Sequence, residues 1–257
     1  MGAQAIDARS ATAHGDPGMG AGYAERRGWV QEYFDRTASA AWARLTSDAP
    51  VSGVRATVRA GRERMRALLT HWLPDDLAGV RVLDAGCGPG TLALELAARG
   101  ALVTAVDLSP TLVELARERA VGAPGAARVR WRVGDMLDPA LGRFDHVVAM
   151  DSLLHYEADD AARAIAALAG RASVSVLATF APATPLLRVM RLAGRAFPRG
   201  DRAPAIVPVA EARLRAAVAQ RAAAPDGPLH GWHWFRSERV ASGFYTSQAA
   251  QLVAPLS

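Results

Sequence analysis

A short apolar segment that runs into a glycine-rich loop sets the strongest constraint on the fold. The sequence "VRVLDAGCGPG" at residues 80–90 predicts a buried strand that ends in glycines, and "LALELAARG" after it has the pattern of a helix that stops at a glycine. Strands and helices continue to alternate at this pace as far as residue 180. Such alternation is typical of a parallel sheet with helices on both faces.

The later segments extend this α/β pattern. Four more segments predict strands: "ALVTAVDLS", "ARVRWRVGDML", "FDHVVAMDSLLHY" and "ASVSVLATFAP". Three segments predict helices between or after them: "PTLVELARERA", "ADDAARAIAALAG" and "VAEARLRAAVAQR". The final segment "HGWHWFRSERVASGFYTSQAAQLVA" predicts two strands joined around residues 242–243. We therefore expect a seven-stranded, mostly parallel sheet.

The composition changes along the chain suggest three regions. Residues 1–25 are rich in small residues and predict a disordered tail. Residues 26–75 carry two helical patterns and predict a helical arm that acts as a lid. Residues 76–257 form the main domain, with an insertion at about residues 183–208 that contains a basic amphipathic helix and a proline-rich loop.

Charge and cysteine content narrow the cellular setting but not the partner. A net charge of +5 and a pI near 10.2 are compatible with nucleic acid, an anionic membrane or an acidic small molecule. The single cysteine, Cys87, favours a reducing compartment. Neither a signal pattern nor an apolar run of about 18–20 residues is present. We expect a cytoplasmic protein with at most peripheral contact with the inner or an intracytoplasmic membrane.

Polar residues and glycines stand at four predicted strand ends, where open parallel sheets bind ligands. They are Asp84 with Gly86, Gly88 and Gly90, then Asp107, Asp135 and His155. Asp107 lies about 20 residues beyond the glycines, where an acid accepts hydrogen bonds from a ribose diol. Asp135 and Met136 suit an adenine, through its amine and its face respectively. Cys87, Leu108 and Asp151 complete the predicted cofactor-binding residues, Cys87 as a small loop residue rather than a nucleophile.

The loop favours S-adenosyl-L-methionine over a dinucleotide. Thr91 replaces the third glycine of the dinucleotide pattern, and Asp84 immediately before the loop would repel a pyrophosphate. A carboxylate at that point suits an ammonium or sulfonium cation. No cysteine and histidine residues have metal-ligand spacing, so the sequence predicts no metal site.

Seven segments carry a family resemblance. "LDAGCGPG" and "VDLS" resemble the class I methyltransferase fold, which has Rossmann-like topology. "YFDRTASAAWARLTSD", "DSLLHY", "FAPATPLL", "FPRGDRAP" and "SGFYTSQA" resemble the magnesium protoporphyrin IX methyltransferase family of bacteriochlorophyll and chlorophyll synthesis, from about residue 29 to the C-terminus. Pro89 stands where many relatives have threonine, and "ASAAW" lacks a bulkier residue before the tryptophan.

The resemblance implies methyl transfer from S-adenosylmethionine to one propionate of magnesium protoporphyrin IX, with magnesium present only as part of the substrate. It also implies a catalytic pair, Tyr33 and His155, and delivery of the porphyrin by the large subunit of magnesium chelatase. For His155 the roles of orienting donor, base and axial magnesium ligand stay open. Tyr33 would belong to the lid, or to the packing of a helix face.

The insertion could supply a surface for a flat, apolar porphyrin with two carboxylates. The predicted substrate-binding residues are Trp42, Arg188, Met190, Arg191, Arg199 and Arg202. An arginine can hold a carboxylate through two parallel hydrogen bonds. A surface helix with solvated arginines, or a helix lying on an anionic membrane, would have the same pattern.

Two other functions are compatible with the fold. One is a methyltransferase that acts on RNA or protein. Two features argue against it: the sequence is "DSLLHY" where an Asn/Asp-Pro-Pro-aromatic motif would be expected, and no RNA-binding module is visible. The other is a porphyrin carrier without activity. A carrier could have lost Asp107 or the loop glycines, yet the sequence retains all of them, which argues against this function.

Overall fold

The structure, a computed structural model, describes residue 28 and residues 53–184 and 206–255. Its described strands form one seven-stranded sheet in the order β3-β2-β1-β4-β5-β7-β6. They are β1 (Arg81–Ala85), β2 (Leu102–Asp107), β3 (Val129–Val133), β4 (Phe144–Ala149), β5 (Ala172–Phe180), β6 (His233–Ser242) and β7 (Tyr245–Val253). The prediction of a seven-stranded, mostly parallel sheet is confirmed.

The direction of the strands places the functional edge. Strands β1 to β5 are parallel, and β7 is antiparallel to both β5 and β6. Strand β7 therefore begins at the edge of the sheet where the parallel strands end. The turn between β6 and β7 confirms the junction that the sequence predicts around residues 242–243.

Helices cover the sheet on both faces. The described α-helices of four residues or more are α1 (Gly53–His71), α2 (Thr91–Ala98), α3 (Pro110–Ala120), α4 (Ala158–Ala169) and α5 (Glu211–Ala222). Alternate strand residues point to opposite faces. Val82 belongs to one apolar cluster with Met65 of α1, and the adjacent Leu83 belongs to a second cluster with Ile165 of α4.

Two local signals explain where helices begin. Pro110 occupies the first turn of α3, and the Ser109 side chain caps it by accepting a hydrogen bond from the Leu112 N–H at 3.3 Å. Gly90 precedes α2 in the left-handed region, with φ of 79°. A Cβ at Gly90 would lie 2.5 Å from the Trp131 ring, so a glycine is required where β1 passes into α2.

Helix α1 packs directly on the antiparallel end of the sheet. Its Met65 and Leu69 are fully buried, and it contacts β6 and β7. This helix is the described part of the arm predicted at residues 26–75, and the boundary at residue 75 remains a prediction. The predicted catalytic residue Tyr33 lies outside the described residues. So do the six predicted substrate-binding residues: Trp42, Arg188, Met190, Arg191, Arg199 and Arg202. Most of the predicted insertion at residues 183–208 also lies outside them.

None of the helices in residues 53–184 and 206–255 combines the length and the apolar character needed to cross a membrane.

Gly61 of α1 allows the helix to approach β7, and we expect Gly61→Ala to destabilise the protein. An added Cβ would lie 2.4 Å from Tyr245 Cδ1 and 2.6 Å from Tyr245 Cβ, too close for the buried ring to accommodate. Overpacking of this kind costs about 1–3 kcal/mol. Urea denaturation should show a fall of that size in the free energy of unfolding.

Gly53→Ala is the matched control for this prediction. Gly53 begins the same helix, and a Cβ there would meet nothing within 4 Å. This control should be neutral or slightly stabilising, because alanine favours a helix over glycine. If Gly61→Ala were as stable as the wild type, the close contact of α1 with Tyr245 would be wrong.

Candidate active site

An open cavity lies where the parallel strands end, and its volume is about 790 Å³ when the solvent at its mouth is included. It is lined by Arg62, Gly86, Cys87, Gly88, Val106, Asp107, Leu108, Ser109, Leu112, Gly134, Asp135, Met136, Met150, Asp151, Ser152, His155 and Tyr156. Of the predicted cofactor residues and loop glycines, all except Asp84 and Gly90 line it, and so does His155. The structure therefore brings together residues that are 93 positions apart in the chain, from Arg62 to His155.

The glycine loop is anchored to β2 by its backbone. The N–H groups of Gly86 and Cys87 both donate to the Val106 carbonyl at 2.9 Å. Gly86 has φ of 82°, and a Cβ there would lie 2.3 Å from Ser152 Oγ. The loop can thus approach the turn after β4 only with glycine at position 86.

Asp107 is held at the rim by two backbone donors. Its Oδ2 accepts from the Gly88 N–H at 2.8 Å, and its Oδ1 accepts from the Ser109 N–H at 2.9 Å. A carboxylate has about four acceptor sites, so a carboxylate held in this way is compatible with hydrogen bonds from ribose hydroxyls. The two bonds fix the carboxylate at the rim of the cavity, and the ribose contact stays a prediction.

The end of β3 supplies a partly buried surface that has both polar and apolar groups. Asp135 Oδ1 accepts from the Leu137 N–H at 2.9 Å, which orients the carboxyl beside Met136. Leu108 and Leu112 contribute apolar wall. A polar group next to thioether and aliphatic surface suits a purine base, and the predicted adenine contact with Asp135 and Met136 remains a prediction.

Asp84 differs from the other predicted residues because it is buried and does not line the cavity. Its side chain is 1% exposed, and its Oδ2 has no hydrogen-bond partner. Burial, together with the charge of Asp107, raises the pKa of Asp84 to about 7, although a hydrogen bond from the Ala93 N–H opposes this rise. Such a carboxyl favours a nearby cation, because a positive charge would offset the cost of its ionisation.

Cys87 lines the cavity but has the chemistry of a buried thiol. Burial, followed by the charges of Asp84 and Asp107, raises the pKa of the Cys87 thiol well above its usual value. The thiolate form is thus disfavoured, as it is for structural cysteines. This agrees with the prediction that Cys87 serves as a small loop residue.

The turn after β4 carries the strained residue Asp151. Its φ is 58°, the one positive value at a non-glycine position in the described chain. The Asp151 N–H donates to Thr179 Oγ1 at 2.7 Å, while the Ser152 hydroxyl donates to the Ala85 carbonyl at 2.5 Å. The turn is therefore fixed to β1 and β5 immediately before His155, which lies in the cavity wall.

Sequence reasoning missed two residues that bind Asp151. Arg62 of α1 forms an ion pair with Asp151 Oδ2, and the Tyr245 hydroxyl donates to Asp151 Oδ1 at 3.1 Å. Burial and the neighbouring Asp151 raise the pKa of Tyr245, so its phenol stays protonated as a donor. Arg62 is one of many arginines in its segment, and no sequence pattern distinguished it from the others as a site residue. Tyr245 lies within "SGFYTSQA", but nothing in that segment indicated its partner.

These features fit S-adenosylmethionine. The glycine loop presents bare backbone beside Ser152, with no room for a side chain at position 86, and Asp107 accepts from the Gly88 N–H of the same loop. Asp84 adds a buried carboxyl oxygen without a partner, which suits a cationic donor and not a pyrophosphate.

Comparisons with known proteins give the family. A model described as "Magnesium-protoporphyrin IX methyltransferase C-terminus" matches residues 149–254, and a "Methyltransferase domain" model matches residues 82–172. The magnesium-protoporphyrin O-methyltransferase of Rhodobacter capsulatus is 47% identical over 234 residues, covering 91% of this chain and 99% of the relative. The chain belongs to the magnesium-protoporphyrin O-methyltransferase family.

Solved structures of a family member agree with this assignment. The magnesium protoporphyrin IX methyltransferase of Synechocystis PCC 6803 with bound S-adenosylhomocysteine has a TM-score of 0.75 and 29% identity, covering 89% of this chain and 99% of that one. Its structure with S-adenosylmethionine has a TM-score of 0.73 and 27% identity, covering 89% and 97%. The predicted class I fold, family and cofactor are confirmed: the chain is an S-adenosylmethionine-dependent O-methyltransferase.

The buried Asp84 predicts that affinity for S-adenosylmethionine rises with pH. Below about pH 7 the carboxyl holds a proton in the ligand-free protein, and a bound cation must displace it. Affinity should therefore rise up to about tenfold between pH 6 and 8, the limit for release of one proton. Isothermal titration calorimetry at several pH values measures this change.

Asp84→Asn is the control, because it removes this titration and leaves those of the ligand in place. We expect the affinity of the variant for S-adenosylmethionine to depend less on pH.

The ligand-free variant should also lose less stability between pH 4 and pH 7. The raised pKa means that folded Asp84 binds more protons than unfolded Asp84 across this window, so its contribution to stability falls as pH rises. If affinity for S-adenosylmethionine changed equally with pH in the variant and the wild type, Asp84 would not interact with the charge of the cofactor.

Proposed function

We propose that this enzyme transfers the methyl group of S-adenosylmethionine to one propionate carboxylate of magnesium protoporphyrin IX. The products are the monomethyl ester and S-adenosylhomocysteine, in the synthesis of bacteriochlorophyll. The observation that carries the proposal is the similarity to the Rhodobacter capsulatus enzyme, which spans 91% of this chain and 99% of that one.

The acceptor is already a nucleophile at neutral pH. A propionic acid resembles a glutamate side chain, whose pKa is about 4.3, so it is ionised under these conditions. A carboxylate oxygen attacks the methyl carbon, a C–O bond forms, and the S–C bond breaks with its electron pair passing to sulfur. No proton moves in this step, so the reaction needs no general base.

Charge disappears as the reaction proceeds, which defines the task of the protein. An anion and a sulfonium give two neutral products, so water that stabilises the separate charges raises the barrier. The site must exclude water and align oxygen, methyl carbon and sulfur. The cavity has apolar wall beside the glycine loop, contributed by Val106, Leu112 and Met150, which supports this role.

We assign His155 the role of an orienting hydrogen-bond donor to the propionate. Its position in the cavity wall, on the turn fixed beside the glycine loop, supports this role. Because the carboxylate needs no deprotonation, a donor that positions it is more useful than a base. Tyr33, the second member of the pair that the family resemblance implies, would close over the acceptor from the N-terminal arm.

The rest of the porphyrin requires an apolar surface and a cation for its second propionate. The predicted substrate-binding residues, outside the described part of the chain, remain the proposed source of both. Delivery by the large subunit of magnesium chelatase, and peripheral contact with a membrane, are proposed because a flat apolar substrate is poorly soluble in water. Copurification of this enzyme with the large chelatase subunit would test the first point, and its association with anionic vesicles would test the second.

Ester formation tests the proposed function directly. Purified enzyme is mixed with methyl-labelled S-adenosylmethionine and magnesium protoporphyrin IX, and the label is expected in a porphyrin monomethyl ester. Label in RNA or protein instead would contradict the porphyrin assignment. Binding of both ligands without turnover would identify a carrier and not an enzyme.

We expect His155→Ala to lose about 10²-fold or more in kcat and to keep its affinity for S-adenosylhomocysteine, because the residue is assigned to the acceptor. His155→Gln tests the kind of role, since an amide can donate a hydrogen bond but cannot act as a base. Under the proposal the kcat of the glutamine variant is at least about tenfold above that of the alanine variant and, at saturating S-adenosylmethionine, does not change between pH 6 and 8. If both variants are equally inactive, an orienting donor is the wrong role, and near-normal rates for both would make His155 structural.

A further inference from the structure

We propose that Arg62 binds a carboxylate group of a ligand, and that Asp151 is the positioning residue that holds the Arg62 guanidinium in the cavity wall. This proposal rests on the proposed function, because that reaction brings two ligands with carboxylates into this cavity. They are the amino-acid end of S-adenosylmethionine and the propionate of the acceptor.

The charge of the cavity makes Arg62 the natural partner of a carboxylate. Three acidic residues line the cavity: Asp107, Asp135 and Asp151. Arg62 is the one lysine or arginine among the lining residues that the structure describes. An anionic ligand that enters such a cavity needs a cation, and a guanidinium recognises a carboxylate through a planar fork of N–H donors.

The ion pair with Asp151 fixes the position of this cation. The two side chains are 18% and 5% exposed, so the pair is largely shielded from solvent. A guanidinium has five N–H donors, and pairing with Asp151 is compatible with recognition of a second carboxylate. Asp151 also offsets the positive charge of Arg62, which limits how strongly an anionic nucleophile would be stabilised before it reacts.

Asp151 is itself held by groups from two other strands. Thr179 Oγ1 accepts from its backbone N–H at 2.7 Å and lies 3.3 Å from Oδ1, and the Tyr245 hydroxyl donates to Oδ1 at 3.1 Å. A residue with φ of 58° and a Cβ is strained, and such strain persists only where neighbours over-determine the conformation. The contacts account for that conformation and point the carboxylate at Arg62.

The proposal gives Asp151 a role that the sequence did not predict. Its carboxylate oxygens accept hydrogen bonds from Arg62, Thr179 and Tyr245, and the cofactor contact predicted from the sequence stays a prediction. Its effect on the ligand would be exerted through Arg62. Helix α1 thereby contributes a ligand-binding residue as well as part of the core.

Paired nucleoside ligands test the assignment. S-adenosylhomocysteine has the amino-acid carboxylate and 5′-methylthioadenosine lacks it, while both have the adenosine and a thioether. Calorimetry measures the affinity of wild type and Arg62→Gln for each, and steady-state kinetics give KM for magnesium protoporphyrin IX. Loss of a charged hydrogen bond should cost about tenfold or more in affinity for the ligand that Arg62 binds.

The two sources of the carboxylate give different results. If Arg62 binds the cofactor, Arg62→Gln weakens S-adenosylhomocysteine by about tenfold or more and leaves 5′-methylthioadenosine unchanged. If Arg62 binds the propionate, both nucleosides bind normally and KM for the porphyrin rises by a similar factor. If neither changes, the proposal is overturned. The nucleoside experiment does not depend on turnover, so it separates this proposal from failure of the ester assay.

Variants of neighbouring residues control for folding. Arg66→Gln is the matched control: Arg66 lies one turn further along α1 and forms an ion pair with Glu95 at 2.8 Å, away from the cavity. It should leave both affinities and KM unchanged. Arg62→Lys, which keeps the charge but loses the fork, provides a second variant if Arg62→Gln fails to bind 5′-methylthioadenosine and is therefore misfolded.

Tyr245→Phe tests the positioning role of Asp151. Removal of the phenol hydroxyl should weaken binding of the same ligand that Arg62→Gln affects by about threefold, less than the full cost of a hydrogen bond to a charged group, because Asp151 keeps its contacts with Thr179 and Arg62. A purely structural role would lower the melting temperature and leave the affinity ratio of the two nucleosides, and KM, at their wild-type values. That result would show that Asp151 does not act through Arg62.

Discussion

The site depends on the close approach of two strand ends, β1 and β4. Their contact is made by Gly86 on one side and Ser152 on the other, and the Ser152 hydroxyl donates to the Ala85 carbonyl. A side chain at position 86 would collide with Ser152, so the distance between the glycine loop and the turn after β4 can be this short only without a Cβ at that position. The glycine loop and the His155 turn can share one cavity because this distance is so short.

Electrostatics then determine what the shared cavity can hold. Acidic side chains lie around the glycine loop, with the buried Asp84 behind it, and the arginine that lines the cavity is already paired. Such surroundings suit a ligand that combines a positive centre with a carboxylate better than one with several phosphates. The same distribution suits a reaction in which opposite charges cancel, because the protein need not stabilise a new charge in the product.

The sequence predicted features that depend on local pattern, and missed those that depend on long-range contacts. Strand ends, the loop glycines and Asp107 could be located because their spacing follows from β-strand and helix periods. The burial of Asp84 away from the cavity wall was not predictable, since sequence does not give the direction of a side chain at a strand end. Arg62, Asp151 and Tyr245 lie far apart in sequence, and only the packing of α1 on β7 brings them together. A single sequence contains no signal for such a pairing.

The insertion of β7 between β5 and β6 has a consequence for biosynthesis. Strand β7 is the last described strand, yet it fills an interior position in the sheet and brings Tyr245 to Asp151. While the ribosome is still translating this strand, β5 has an unpaired edge and α1 has only part of the surface on which it packs. The nascent chain is therefore exposed to aggregation at that edge until β7 has been made, and the same strand supplies the tyrosine that holds the Asp151 turn of the cavity.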